Sequence, residues 1–227
     1  MNIVIPIVAI AAIFGAAYVV RVRYQRRVAA GDDEMHSWAS TQGYDFAAAD
    51  DSRIGPWSFR PFGIGTHRHA KRVVSGTFSG RTFVAFDYTY ETSGGPGPGT
   101  VATNNNMVWH FAVCIVQLPA SLPDIAVDAK DVRDKVHLGS DSGIDLGDPE
   151  FGRHYRVRCN DPQMPAAVLP AATRSRLVSS RLTGVHITGD QLIAWQSQTH
   201  NKTEVLPERL TVLTDLVAAI PASAWQS

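Results

Sequence analysis

The sequence predicts an α+β protein, with an N-terminal transmembrane helix followed by an antiparallel sheet of hairpins that C-terminal helices cover. Three observations predict this class: an uncharged apolar run near the start, alternating polarity in the middle, and apolar residues at helical spacing near the end. Hydrophobic residues make up 44% of the 227 residues and charged residues 19%, a composition typical of a folded domain. We therefore divide the chain into an anchor, residues 1–27, and one globular domain, residues 28–227.

The apolar run is Ile3–Val22, which holds no charged side chain before Arg21. At about 1.5 Å of rise per residue, twenty helical residues span roughly 30 Å, the thickness of the hydrocarbon core of a bilayer. A cluster of four arginines flanks its C-terminal end: Arg21, Arg23, Arg26 and Arg27. Because positive residues beside a span stay in the cytoplasm, we expect a single-pass protein of the cell membrane with its N-terminus outside and its globular domain cytoplasmic.

A cleaved secretory signal is the alternative interpretation of this segment. Such a peptide carries positive charge before its apolar region and a small-residue cleavage site after it, and the order here is reversed. We therefore favour a permanent anchor, with the lipid bilayer as its partner. In a cytoplasmic domain both cysteines, Cys114 and Cys159, are expected to be reduced, and Cys114 to be buried in its apolar surroundings.

Alternating polarity predicts three strands in the middle of the chain, at Arg72–Phe78, Arg81–Glu91 and Met107–Leu118. Ser79-Gly80 joins the first two as a two-residue hairpin turn. The passage before them, Tyr44–Lys71, is predicted to be a loop-rich cover over the sheet. Its aromatic residues between Trp57 and Phe62 favour a sealed core edge, and a binding surface is the alternative.

Two hairpin or strand signals follow later in the chain. Tyr155–Cys159 alternates with arginines, as a strand with one wet face does. Segments 185–188 and 191–196 flank Gly189-Asp190 and predict a second tight hairpin.

Helices are predicted before and after the strands. Val28–Gly43 reads as a short helix that ends at glycine, and Asp161-Pro162 has the residues of a helix start. A second helical piece is expected through Leu177, and the apolar residues of 206–220 predict an amphipathic helix that packs on the sheet.

The order of these features resembles a group of mostly actinobacterial single-pass membrane proteins with a soluble domain of unknown function. The resemblance covers nearly the whole chain. It lies in the anchor and its arginines, Trp38, Gly43-Tyr44, Arg60-Pro61-Phe62-Gly63, the segment from Ser75-Gly76 to Asp87-Tyr88, Leu118-Pro119, Asp148-Pro149-Glu150-Phe151, Asp161-Pro162 and Gly189-Asp190. It implies a location and an architecture, and it implies no catalytic residues.

One pair of residues is a candidate for catalysis. If the hairpin formed by the second and third strands pairs symmetrically about its loop, Asp87 faces His110, and an acid beside an imidazole is the orienting half of a catalytic triad. The same pair is also an ordinary cross-strand polar contact, and the sequence shows no serine or cysteine at a strand-to-helix elbow to complete a triad. A hydrolase that uses Asp87 and His110 is therefore an alternative function.

Other kinds of site are disfavoured. His67 and His69 lack nearby cysteines or further histidines at metal-ligand spacing, so we expect no metal. Prolines interrupt the glycine-rich stretch 94–99, which therefore predicts no nucleotide-binding loop and no cofactor. Lys and Arg total 21 and Asp and Glu total 21, so charge gives no reason to expect a nucleic-acid partner.

The sequence therefore favours a membrane-tethered cytoplasmic module without catalytic activity, which binds a protein partner in the membrane or serves an accessory role. Two alternatives stay open. One is the hydrolase named above. The other is a lipid or small-ligand binder that uses the aromatic residues between Trp57 and Phe62.

Overall fold

The computed structural model describes residues 30–93, 106–130 and 143–226. The predicted anchor, Ile3–Val22, and its arginine flank lie outside these residues. Within the described ranges, no helix has the length and apolar character needed to cross a membrane. The described residues form an α+β architecture, a six-stranded antiparallel sheet with helices on one face, as the sequence predicts.

The elements take up most of the described residues, and we number them in chain order. They are α1 (30–42), β1 (Asp45–Ala49), β2 (Thr66–Phe78), β3 (Arg81–Ser93), β4 (Asn106–Ala129), α2 (Pro149–His154), β5 (Tyr155–Cys159), α3 (Met164–Val168), α4 (Ala171–Ser180), β6 (Gly184–Ser197) and α5 (Leu206–Ala218). Two 3-10 helices, Asp51–Arg53 and Ala222–Gln226, complete the description.

Strands β2 and β3 form the predicted hairpin about Ser79-Gly80. Both turn residues have positive φ, 50° and 76°, which is the backbone of the two-residue turn whose twist matches that of the flanking strands. Glycine supplies one of these conformations without steric cost. Strand β3 then pairs antiparallel with the first half of β4, from Phe83 opposite Val116 to Ser93 opposite Asn106.

Strand β4 is the centre of the sheet and extends well beyond the predicted end at Leu118. One side of β4 pairs first with β3 and then with β5, while β6 runs along the other side. The register between β4 and β6 shifts twice, between Gln117 and Leu122 and between Leu122 and Ile125. Register shifts of this kind bend a strand pair, so β4 and β6 form a long bent ribbon.

The predicted second hairpin about Gly189-Asp190 is wrong. Segments 185–188 and 191–196 are two halves of the single strand β6, and both halves pair with β4. Gly189 lies opposite Leu122 at the bend, so the turn signal in the sequence marks a corner rather than a reversal of the chain. The bend brings the two ends of β6 together, where the backbone N–H of Thr183 donates to the carbonyl oxygen of Trp195 at 2.8 Å.

Two predicted boundaries also differ from the structure. The sequence predicts a loop-rich passage over 44–71, whereas the structure places strand β1 and the first residues of β2 there. Strand β1 pairs with residues 71–75 of β2 and forms the edge of the sheet. Helix α3 begins at Met164, after a turn in which the Asp161 carboxylate accepts a hydrogen bond from the backbone N–H of Gln163 at 2.9 Å.

Side chains alternate between two faces of the sheet. The helix face carries Phe83, Ala85 and Asp87 of β3 and is covered by α1, α4 and α5, with Leu210 and Leu213 of α5 fully buried. The loop face carries Phe86, Tyr88 and Tyr90 of β3 and is covered by the segment 54–64, which we call the cover loop. The amphipathic last helix is thus confirmed, and the N-terminal helix α1 joins it on the helix face.

Candidate functional site

Asp87 is buried on the helix face, with 3% of its surface exposed. It lies opposite Ala112 in the sheet, and His110 lies opposite Thr89. The two predicted residues therefore share a face but are diagonal neighbours, instead of facing each other directly. The ring of His110 contacts the ring of His200, with 5.2 Å between centroids.

Three groups from distant parts of the chain bind the Asp87 carboxylate. Its Oδ2 accepts hydrogen bonds from Nε of Arg72 at 2.7 Å and also from Nη2 of the same guanidinium. Its Oδ1 accepts from the backbone N–H of Asn201 at 2.7 Å, and Nδ1 of His200 lies 3.3 Å from Oδ2. The histidine that lies against Asp87 is therefore His200.

A bulge in β2 supplies the arginine. The register between β2 and β3 shifts between Lys71 and Val74, and Arg72, inside this shift, has φ of 48°. A positive φ is uncommon for a residue other than glycine and marks backbone strain. The extra residue of the bulge allows the Arg72 guanidinium to reach the buried carboxylate.

Asn201 extends the cluster toward α5. It is 1% exposed, and its Nδ2 donates to the carbonyl oxygens of Phe86 at 2.9 Å and Val113 at 3.2 Å. Its Oδ1 accepts from Nη1 of Arg209 at 2.6 Å, and Arg209 also donates to Oε1 of Gln196 at 2.7 Å. These bonds fasten the segment after β6 and the start of α5 to the sheet.

The chemistry of this cluster follows from its hydrogen bonds. Burial, followed by the neighbouring charge of His200, lowers the pKa of His110, whose Nδ1 is buried without a hydrogen-bond partner in the described part of the chain. Among the described residues, no serine, threonine or cysteine side chain is hydrogen-bonded to the ring of His110 or His200. The cluster thus binds chain segments to one another, and the catalytic use of Asp87 and His110 stays a prediction.

Burial of Cys114 is confirmed. The residue has no exposed surface, and burial raises the pKa of its thiol to about 11. Its Sγ lies 3.7 Å from Oδ1 of Asn201. Because the thiolate is the reactive form, this thiol is suited to packing and not to nucleophilic chemistry.

The cover loop packs its aromatic rings on the loop face. Phe62 is fully buried, with its ring centroid 4.7 Å from that of Trp57 and 5.0 Å from that of Tyr88. Phe59 lies 4.2 Å from the ring of His186 and 5.9 Å from that of Trp195. These rings seal the sheet, as the sequence favours, yet Trp57 and Phe59 are only half-buried.

A cleft of about 290 Å³ opens beside Phe59, and we call it the Phe59 cleft. The residues that give it its character come from the cover loop, β4, β6 and the end of β5: Phe59, Asp124, Arg158, Asn160, His186 and Thr188. A second cleft, of about 250 Å³, lies beside Trp57 and includes Arg53, Gln117 and Gln191. Half-buried aromatics of the cover loop therefore line open clefts that also carry polar groups, so the ligand-binding alternative stays a prediction.

Asp128 fixes the polar side of the Phe59 cleft. Its Oδ1 lies 3.0 Å from Nε2 of His186, and its Oδ2 accepts from Nη2 of Arg158 at 2.6 Å. Burial alone would raise the pKa of Asp128, but the hydrogen bonds from His186 and Arg158 outweigh it and lower that pKa. Asp128 is therefore ionised at neutral pH, so Nε2 of His186 carries the proton of their hydrogen bond.

The apolar core beneath the helices offers much less space. A cavity of about 20 Å³ lies among apolar side chains that include Val168, Leu192 and Leu216. That volume is near the size of a single water molecule and cannot contain an acyl chain.

The two histidines of the His-x-His pair bind different carboxylates. Nδ1 of His69 lies 3.0 Å from Oδ2 of Asp51, and Nδ1 of His67 lies 3.4 Å from Oε2 of Glu91. In the part of the chain that the structure describes, no three histidine, cysteine or acidic side chains are grouped as metal ligands would be.

The sequence did not indicate the residues that the fold brings together here. His200 and Asn201 lie more than a hundred positions from Asp87, and no local pattern links either of them to it. His186 and Asp128 likewise meet only because β4 and β6 pair. The alternation of Asp128 with apolar neighbours was the one available signal, and it indicates a strand, not a site.

No protein-family model and no curated protein matches this sequence. Among solved structures, the chain is similar to the crystal structure of the mycobacterial trehalose monomycolate transport factor A, TtfA, with a TM-score of 0.56. The two chains are 13% identical, and the match covers 84% of this chain and 96% of that one. At this identity the similarity shows a shared fold over most of both chains.

Proposed function

We propose that this chain is a membrane-tethered, non-catalytic accessory factor in lipid transport, whose globular domain binds a protein partner in the membrane. The observation that carries the proposal is the likeness in fold to a protein named as a transport factor for trehalose monomycolate, over 84% of this chain. The apolar run Ile3–Val22 and the arginines after it support a tether with the domain on the cytoplasmic side.

The helix face supports a role without catalysis. Its most buried polar residues, Asp87, Asn201 and Arg209, bind one another or the backbone. A catalytic group needs a partner or a substrate in reach, and here the carboxylate is already occupied by donors from Arg72 and Asn201.

The packing of the core supports an accessory factor over a lipid carrier. A carrier encloses acyl chains, and in the described part of the chain the cavity in the apolar core under the helices measures about 20 Å³, too little for an acyl chain. The chain would therefore act beside the path of the lipid, by holding or regulating a partner that moves it.

The test is capture of the partner by the full chain in its native host. Tagged protein is purified from detergent-solubilised membranes after mild cross-linking, and co-purifying proteins are quantified by mass spectrometry. We expect one integral membrane protein in stoichiometric amount, and we expect depletion of the chain to slow export of a radiolabelled acylated sugar.

The matched control is residues 1–27 fused to an unrelated soluble protein, which keeps the anchor and its arginines but lacks the domain. Recovery of the same proteins with this fusion, or of none in stoichiometric amount with the full chain, would contradict the proposal.

The alternative function is a hydrolase that uses Asp87 and His110. The one observation in its favour is the imidazole of His200 at 3.3 Å from the Asp87 carboxylate, a contact of the kind that orients a catalytic base. Hydrolysis of a broad set of ester substrates by the purified chain, lost in His110→Ala and in His200→Ala, would establish it.

A further inference from the structure

We infer that the Phe59 cleft binds an uncharged polyhydroxyl group, the sugar headgroup of a lipid or the corresponding free sugar. This inference rests on the proposed function, which supplies the class of ligand. It goes beyond that function because it names a site and the residues that would recognise the ligand.

The size of the cleft suits a headgroup. Its volume of about 290 Å³ is just below the range for small-molecule sites, which is about 300–1,000 Å³. The cleft is open to solvent along Asp124, Arg158 and Asn160, which are exposed. A lipid could therefore place its polar end here while its acyl chains stay outside.

The polar groups around the cleft are a mixture of donors and acceptors. Arg158 offers N–H groups, Asp124 offers carboxylate oxygens, and Asn160 and Thr188 can each donate and accept. Each hydroxyl of a sugar also donates and accepts, so a sugar requires both kinds of group from a protein. An anion such as phosphate mainly accepts hydrogen bonds and is best bound where donors predominate.

The charges around the cleft also discriminate between a neutral sugar and an anion such as phosphate. The Arg158 guanidinium is already paired with Asp128 at 2.6 Å. The Asp124 carboxylate lines the same cleft and adds a negative charge to it, which disfavours an anion. The cleft therefore favours a neutral ligand over a phosphate or an anionic lipid headgroup.

Phe59 provides the apolar wall. Its ring is held in place by His186 at 4.2 Å and by Phe62 at 5.6 Å, while the half-buried side chain still faces the cleft. An aromatic face held rigidly before binding costs little entropy when it packs against the C–H groups of a sugar ring. The aromatic wall formed by Phe59 and the mixed polar groups around the cleft together form the site.

The experiment titrates the full chain in detergent micelles with four probes: trehalose, a short-chain trehalose monoester, inorganic phosphate and phosphatidylglycerol vesicles. Binding is measured by calorimetry and by saturation-transfer NMR. We expect both sugar probes to bind. Arg158→Gln and Phe59→Leu should each weaken that binding by about tenfold or more, the effect of losing one charge-assisted hydrogen bond or one packed ring.

Two variants serve as matched controls. Arg176→Gln removes an arginine of the same exposure that is also paired with an aspartate, Asp215, but lies in α4 away from the cleft. Phe46→Leu removes another half-buried phenylalanine that stacks on a histidine, His36. Neither control should change the affinity for sugar.

Each outcome decides the inference. Tighter binding of the ester assigns the site to a lipid headgroup, and equal binding assigns it to the free sugar. Failure of both sugars to bind, competition by phosphate or anionic vesicles, or equal weakening by the control variants would overturn it. If Phe59→Leu lowers the melting temperature strongly, Arg158→Gln decides alone. Partner capture that persists without sugar binding would leave the proposed function standing.

Discussion

The two faces of the sheet bury polar groups in opposite ways. On the helix face, Asp87 is 3% exposed and its carboxylate is bound by Arg72 and by the backbone of Asn201. On the loop face, Asp128 also binds an arginine and a histidine, but Arg158 is half exposed and the pair borders an open cleft. A cluster of aspartate, arginine and histidine is therefore enclosed on the helix face, whereas a similar cluster on the loop face is accessible to solvent.

This contrast teaches where to look for function in the fold. The helix face uses its charges to fix segments that are distant in sequence, so its polar residues are explained by stability. In the described part of the chain, the loop face is covered by a loop in which Trp57 and Phe59 are half-buried, so polar groups beside them can meet a ligand. The predictions below test whether the two faces differ in this sense.

The largest effect on stability is expected when the buried carboxylate of Asp87 is removed. Asp87→Ala leaves the Arg72 guanidinium and the Asn201 N–H without their acceptor, which should lower the free energy of unfolding by about 3–5 kcal/mol. Urea denaturation of the full chain in detergent, followed by circular dichroism, measures it. The control Asp215→Asn breaks the exposed pair with Arg176 and should cost less than about 1 kcal/mol. Equal costs would show that the Asp87 cluster does not hold the fold together.

An intermediate effect on stability is expected where the two ends of β6 meet. A methyl group added at Gly184 would lie 2.1 Å from Cζ2 of Trp195, so Gly184→Ala should destabilise the fold by about 1–3 kcal/mol. The same denaturation experiment applies, with tryptophan fluorescence as a second probe. Gly152→Ala is the control, because a methyl group there meets no atom within 4 Å and alanine in α2 should stabilise by about 0.5–1 kcal/mol. A neutral Gly184→Ala would mean that the two ends of β6 separate easily.

The smallest effect comes from one buried tyrosine on each face. The Tyr155 hydroxyl donates to the carbonyl oxygen of Leu177 or Leu182, at 2.9 and 2.8 Å, so Tyr155→Phe should cost about 1–2 kcal/mol. The Tyr88 hydroxyl lies 3.4 Å from the carbonyl oxygen of Phe62, a weak hydrogen bond, and Tyr88→Phe should cost less than about 0.5 kcal/mol.

The same two tyrosines set a pH dependence. Burial raises the pKa of each to about 12, above the ordinary value of 10.0 that applies in the unfolded chain. Their contribution to stability is therefore complete below pH 10 and is lost as pH rises toward 12. Tyrosinate absorbance during alkaline titration checks this, because each Phe variant should remove one late-ionising group. Ionisation of all tyrosines near pH 10 would contradict the burial.

The sequence predicted those parts of the fold that local patterns determine. The β2–β3 hairpin followed from alternation about Ser79-Gly80, and α5 followed from apolar residues at helical spacing. Burial of Cys114 followed from the apolar run around it. Each of these signals lies within a window of about a dozen residues, which is the range over which periodicity is informative.

Pairing between distant segments was not predictable from such windows. The residues around Gly189 have the pattern of a hairpin, and only the availability of β4 as a partner turns them into one bent strand. The register of β3 against β4 decided that Asp87 lies diagonal to His110, and the bulge at Arg72 supplied the charge beside it. Most of the candidate site depends on such pairings, so the sequence indicated Asp87 and the cover-loop aromatics but missed His186, Asp128 and His200.

Strand β4 gives the domain a particular order of assembly during synthesis. It is hydrogen-bonded to three strands, and one of them, β6, begins fifty-five residues after β4 ends. While the ribosome adds those residues, one border of β4 has no partner and can pair with another nascent chain or recruit a chaperone. Contacts between such separated segments also slow folding. Synthesis must therefore reach the end of β6 at Ser197 before β4 is paired along both of its sides.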